Sequence, residues 1–212
     1  MIQCVGSRNE ARPYCSRVCC NQAIKNALLL KNANPEMNVT ILYRDIRSYG
    51  LNEVNYRKAR RAGVQFVRYE PELKPEVVNN GDGLSIKFYE PLLGSYISSK
   101  ADLIVLSSAI ESDMESNRTM ARMFKVPLNQ EGFFLEAHAK LRPVDFATEG
   151  VYVCGLAHTP KSMKESITQG KAAAARAATV ISKEMLEIEG AIAQVNEVLC
   201  TGCATCEKVC AY

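Results

Sequence analysis

Eight of the nine cysteines in this chain fall into two short groups. The first holds Cys4, Cys15, Cys19 and Cys20, spaced C-x10-C-x3-C-C. The second holds Cys200, Cys203, Cys206 and Cys210, spaced C-x2-C-x2-C-x3-C. A thiolate is a soft ligand, and positive charge or metal beside it lowers its pKa. Four of them form the donor set of a [4Fe–4S] cluster, and the second spacing is the bacterial ferredoxin run. A zinc site or unligated thiols are the competing readings, and the spacing favours the cluster. In two-cluster ferredoxins the fourth cysteine of a run serves the other cluster. Here Ala211 replaces the usual following proline and no second run exists. Either Cys210 completes one cluster locally, or the ferredoxin-like piece is truncated and a partner supplies the rest. The first spacing is neither a ferredoxin's nor a zinc ribbon's. Cys15 and Cys19 can share a helical face, Cys20 adjoins them, and Cys4 comes from a strand end. Spacing alone supports a metal or cluster site, with a dithiol pair and unligated buried thiols left open.

Other elements must position these thiols. A strand at 1–5 leads into a turn-rich stretch with Gly6, Ser7, Asn9 and Pro13. Ala23, Ile24, Ala27, Leu28 and Leu30 recur at helical spacing and predict a helix over 20–31. Strands follow at 39–43 and 64–69, around a helix at 52–62 that Gly63 stops. A hairpin turn at 79–83 precedes strands at 84–89 and 96–99, and a buried strand is expected at 102–107. This alternation predicts an α/β fold, a nucleotide-binding Rossmann-like domain with an antiparallel insertion. Beyond it the pattern predicts a helix at 114–124 and an extended stretch at 133–140. A buried strand at 151–154 then ends at Gly155, and a long helix over 162–189 ends at Gly190. The domains are expected at 1–109, 110–190 and 191–212.

In nucleotide-binding domains the turn after the first strand carries G-x-G-x-x-G, which brings backbone N–H groups to a pyrophosphate. Here that turn has only Gly6, and cysteines with Arg8, Arg12 and Arg17 fill it. The expectation is dinucleotide architecture without the dinucleotide grip, and no NAD(P)H binding. Hydrophobic residues make up 47% and the net charge is +3, values of a globular chain with nothing that points to nucleic acid. There is no apolar run of membrane-spanning length and no basic leader with an apolar core. The expected setting is cytoplasmic and reducing, where grouped cysteines serve as ligands rather than disulfides.

The stretch Gln3-Cys4-Val5-Gly6-Ser7-Arg8 with Tyr14-Cys15-Ser16-Arg17-Val18-Cys19-Cys20 resembles the signature of the flavin-containing A subunit of heterodisulfide reductase and its relatives. The resemblance implies a thioredoxin-reductase-like flavoprotein core with a [4Fe–4S] cluster near the flavin. Cys4, Cys15, Cys19 and Cys20 would be its ligands. Arg142-Pro143-Val144-Asp145 and Thr148 to Ala157 resemble the C-terminal flavin segment of such proteins. Most of them read T-x-x-x-G-V-x-A-x-G-D there, and Leu156 stands at the aspartate position. The resemblance implies that Gly155, Leu156, Ala157 and His158, with Ser166, Ile167, Thr168 and Gln169, line an FAD. An ordinary amphipathic core helix is the competing reading of the last four. His138 or Lys140 is expected to place positive charge near the flavin, and Cys154 to be a buried structural thiol.

The ADP end of the FAD would be held by an N-terminal half that this sequence lacks, so a partial flavin domain from a split gene or a fragment is expected. The implied function is electron transfer between FAD and [4Fe–4S] clusters in a disulfide-reducing complex, with bifurcation of an electron pair. The implied partners are the other subunits of such a complex and a hydrogenase or formate dehydrogenase module. The alternatives are a noncatalytic relay or assembly subunit, or a related subunit of another anaerobic electron-transfer complex.

Overall fold

The computed structural model describes residues 1–79, 81, 83–185 and 193–209. Two compact units divide it: Met1–Glu111 with Pro160–Ser162, and Ser112–Thr159 with Met163–Tyr212. The first unit runs β1 (Ile2–Val5), α1 (Cys19–Ala33), β2 (Thr40–Tyr43), α2 (Glu53–Arg61), β3 (Gln65–Arg68), β4 (Glu76–Asn79), β5 (Leu84–Glu90), β6 (Ser95–Ala101) and β7 (Leu106–Ser108).

β1, β2, β3 and β7 form a parallel sheet in the order β3-β2-β1-β7. Parallel neighbours need crossovers, and α1 and α2 supply them. Ala23, Ile24 and Ala27 of α1 bury against Val39, Ile41, Val64 and Ala59 on one face of the sheet. The alanines let the helix axis approach closely. Ile2, Leu42, Tyr69 and Phe88 form a second core on the other face. A parallel sheet needs cover on both faces, and the sequence meets that need.

The expected antiparallel insertion is present as β4-β5-β6. Its first strand, Glu76–Asn79, is exposed at all four residues and carries no burial pattern that periodicity could detect. Asn80 and Asp82 of the expected hairpin turn lie outside the described residues. The strand expected at 102–107 is corrected to Leu106–Ser108. It is not buried: Leu103 and Leu106 are 74% and 54% exposed, because β7 is the outer edge of its sheet.

The second unit contains α3 (Met114–Phe124), α4 (Met163–Ile181) and α5 (Thr205–Val209). Asp113 caps α3, accepting from Ser116 N–H at 3.1 Å. Val126, Phe134, Phe146 and Val153 make the core, with the two phenyl rings edge-on at 6.1 Å. Residues 133–140 form no named strand: isolated bridges at Phe134 and His138 lead into a turn at 139–140. The strand expected at 151–154 is reduced to a bridge between Asp145 and Tyr152, with Val153 N–H donating to Val144 C=O at 2.8 Å. Only residues 144–146 pair with it, so the β-branched run has no sheet to join. Cys154, past the last bridge, is exposed rather than buried. The helix expected over 162–189 is corrected to end at Ile181, with a turn and a bend within residues 182–185; residues 186–190 lie outside the described residues. No helix among the described residues is long and apolar enough to cross a membrane.

Candidate cluster and flavin sites

The thiols of the first group converge at the C-terminal end of β1. Cys4 adopts a left-handed φ of 61° inside the strand, and the β1–β7 register shifts between Ile2 and Val5. Arg8 and Arg17 are also left-handed, at 58° and 62°. Such conformations cost a residue with a side chain roughly 1 kcal/mol or more each, and cluster where geometry serves function. The loop from Gly6 to Val18 is pinned from outside. Tyr14 OH donates to Ile110 C=O at 2.9 Å, and Ser16 Oγ accepts from Ile110 N–H at 2.9 Å. Arg12 pairs with Glu111. These ties deliver Cys15 beside the first turn of α1, which carries Cys19 and Cys20. That turn has no acidic residue and no side-chain cap, so its N–H groups and dipole favour anions.

The four thiols lie within Coulombic reach of one another. Burial pushes Cys19 up to about 11, and the charges of Cys20, Cys15 and Cys4 add to it. Burial likewise raises Cys4 and Cys20. Against this, the Arg8 guanidinium hydrogen-bonds Cys4 and works to lower it. Arg8 also pairs with Asp45. Burial opposes the charge of Asp45, but hydrogen bonds from Arg8 and Arg47 outweigh it and hold its pKa below the usual range. Arg44 donates to Arg8 C=O at 2.7 Å. Cys4, Arg8, Arg44 and Lys74 line a cleft of about 740 Å³ together with Tyr69. The Tyr69 hydroxyl, donating to Gln3 C=O at 2.6 Å, is pushed up to about 12 by burial and by the Cys4 charge.

Among the described residues, no three His, Cys, Asp or Glu side chains are gathered closely enough for a bare metal ion. A cube of four irons and four sulfides spreads its thiolates wider than one ion does, and thiols are its donors. A second observation bears on the fit. Gln3 is fully buried, and neither Nε2 nor Oε1 has a hydrogen-bond partner. An orphaned buried polar group costs about 1–3 kcal/mol. Thiol donors, a free helix end and an unsatisfied amide together fit a cluster, so Cys4, Cys15, Cys19 and Cys20 would hold it.

The second group looks different. Cys200, Cys203 and Cys206 are exposed, and Cys210 lies outside the described residues. Thr205 Oγ1 donates to Cys203 Sγ at 3.3 Å, and this bond with the Thr205 N–H lowers Cys203 to about 7. Near neutral pH, Cys203 is therefore partly thiolate while Cys19 is almost wholly protonated. In iron-free protein at pH 7, iodoacetamide alkylates Cys203 about a hundredfold faster than Cys19. That ratio is the gain in thiolate fraction less the lower nucleophilicity of a weaker base. Peptide mass mapping over time checks it, and equal rates would refute it.

Three of the residues expected to line a flavin, Gly155, His158 and Gln169, are joined with Glu136 in one hydrogen-bonded chain. Gly155 N–H donates to Gln169 Oε1 at 2.9 Å, Gln169 Nε2 meets His158 Nδ1 at 2.8 Å, and His158 Nε2 meets Glu136 Oε2 at 2.7 Å. These assignments are mutually consistent for a neutral His158 protonated at Nε2. The structure thus brings Gly155, His158 and Gln169 together from a 3-10 turn, Gly155–Ala157, and α4. Ala157 C=O accepts from Phe134 N–H at 2.9 Å. Leu156 and Ile167 are about half exposed. Thr168 Oγ1 donates to Lys164 C=O at 3.0 Å within α4, as helical threonines do, and Ser166 lies on the same helix. His138 and Lys140 sit on an exposed turn, where His138 Nδ1 accepts from the Lys140 and Leu141 N–H groups at 3.2 Å. Sequence reasoning missed Glu136, because 22 residues separate it from His158 and no motif joins them. Arg44 and Asp45 were missed for the same reason, and Gln3, although it stands in the motif beside Cys4, was given no role because only the fold reveals its burial.

No protein-family model matches the chain. Over 217 residues it is 38% identical to a protein of Methanopyrus kandleri named as an iron-sulfur A 2 subunit of CoB–CoM heterodisulfide reductase, covering all of this chain and 32% of that protein. It is 39% identical to the A subunit of the H(2):CoB-CoM heterodisulfide,ferredoxin reductase of Methanothermobacter marburgensis, again over all of this chain and 32% of the relative. It is 39% identical to the A subunit of the Ferredoxin:CoB-CoM heterodisulfide reductase of Methanosarcina acetivorans, over 98% of this chain and 26% of the relative. The chain spans about a third of the length of the curated relatives it matches.

Proposed function

Because the chain is related over its whole length to the A subunit of heterodisulfide reductase, of which it spans about a third, we propose that it is an electron-transfer portion of an iron–sulfur flavoprotein subunit. The observation that carries this is the convergence of Cys4, Cys15, Cys19 and Cys20 at one end of the parallel sheet. The order β3-β2-β1-β7, with thiols in place of a glycine-rich turn, supports a Rossmann-like unit that has lost its dinucleotide grip. A bound [4Fe–4S] cluster carries one electron, whereas flavin handles one or two, so the pair can change electron number. The protein's own part is to bury the thiols, hold them with Arg8 and the α1 N-terminus, and order the Gly155–Gln169–His158–Glu136 chain. The second cysteine group, in a ferredoxin-like piece, passes electrons outward to partner subunits of a disulfide-reducing complex. Splitting of an electron pair, and a hydrogenase or formate dehydrogenase donor, belong to the same reading.

A second reading has its own support. The N–H of Gly155 is taken by Gln169, and Leu156 replaces an acidic contact. Both favour a relay protein that contributes only one side of a flavin pocket. Anaerobic purification with iron and flavin assays, followed by stepwise reduction with dithionite, tests the function. One-electron EPR signals of two clusters per chain are the expected result. Iron-free protein would end the proposal.

A further inference from the structure

Gln3 directly precedes Cys4 in β1. Ile2 packs with Leu42, Tyr69 and Phe88 on one face of the sheet, while Met1 packs against the α1 core on the other. Strand alternation puts Gln3 on Met1's face, the one α1 covers. The first turn of that helix carries Cys19 and Cys20. The small Ala23 and Ala27 leave little bulk between helix and strand. The backbone C=O of Gln3 is satisfied by Tyr69. Its side-chain amide is fully buried with both polar atoms unpaired, and buried amides are rarely left so.

We propose that the Gln3 side-chain amide donates a hydrogen bond to a sulfur of the cluster held by Cys4, Cys15, Cys19 and Cys20, and so raises its reduction potential. This rests on the cluster reading above. A hydrogen bond to cluster sulfur stabilises the more negative, reduced state. Gln3→Met keeps the length and burial but removes the N–H. Gln3→Glu keeps the shape and substitutes a carboxyl group.

The test is a potentiometric EPR titration of the full chain, purified anaerobically with whatever partners remain bound. The relevant signal is the one that disappears in Cys19→Ser. Gln3→Met should keep its iron, yet its reduced cluster should be disfavoured about tenfold, a fall of about 59 mV for one electron. Gln3→Glu, kept neutral by burial beside an anionic cluster, can still donate and should fall less than Gln3→Met. An internal water that satisfies Gln3 predicts instead lower stability with an unchanged potential in both variants, and that result overturns the proposal. Should the variants not fold, wild-type protein labelled with amide-15N glutamine decides. Pulsed EPR of the reduced cluster should show a weak nitrogen coupling, and its absence refutes the hydrogen bond. No iron in the wild type would defeat the cluster reading itself, which is a separate outcome.

Discussion

Replacing Cys19 with Ser removes about four irons per chain from the anaerobically purified protein, the content of one four-thiolate cluster. Cys19 is the decisive position because it senses the charges of Cys20, Cys15 and Cys4 together. A serine hydroxyl is a hard donor with a far higher pKa, and the buried site gives it no help in ionising. Colorimetric iron analysis and the visible absorbance lost with the cluster measure the effect. Cys154→Ser is the control: that thiol is exposed and belongs to neither group, so iron should stay unchanged. Full iron in Cys19→Ser would remove the residue from the ligand set.

The second large effect concerns flavin. The chain expressed alone should carry iron but far less than stoichiometric FAD. Expression with a protein that supplies a glycine-rich pyrophosphate turn should bring FAD to stoichiometry. This sequence carries no G-x-G-x-x-G, and an FAD's ADP end needs those backbone N–H groups. Where the flavin ring is expected, the Gly155 N–H is taken by Gln169 and Leu156 offers no polar side chain. Too few contacts remain to offset the freedom lost by a bound cofactor. Flavin released by heat and measured by absorbance gives the ratio. Stoichiometric FAD in the chain alone would show that the pocket is complete without help.

The sequence was most readable where burial is one-sided and periodic. α1, α2 and α3 announce themselves through apolar spacing and stop signals, as at Gly63. β2 does so through its β-branched residues. Reading failed where an element's state depends on a neighbour. Val151 to Cys154 has strong β-propensity, yet among the described residues its backbone pairs with 144–146 alone, so a bridge forms and Cys154 is exposed. Leu103 to Leu106 reads as buried, but an edge position decides its exposure. The second cysteine group could be read from its spacing, whereas the reading of the first rested on resemblance. The supporting polar residues could not, since Gln3, Arg44, Asp45 and Glu136 meet their partners only through the fold.

The ties on the thiol loop bear on synthesis. Tyr14 and Ser16 are fixed by Ile110, across 96 and 94 residues of chain. A ribosome adds about 5–20 residues per second, so these partners emerge roughly 5–20 s after the loop. Through that interval the loop that carries Cys15 between Cys4 of β1 and Cys19 and Cys20 of α1 is without its clamps. A cluster delivered then would meet loose thiols, each able to bind iron in the wrong company or to oxidise. A cluster held by these thiols would mature only after β7 and the residues just after it arrive, and truncating the chain before Ile110 should leave the thiols present but the cluster unformed.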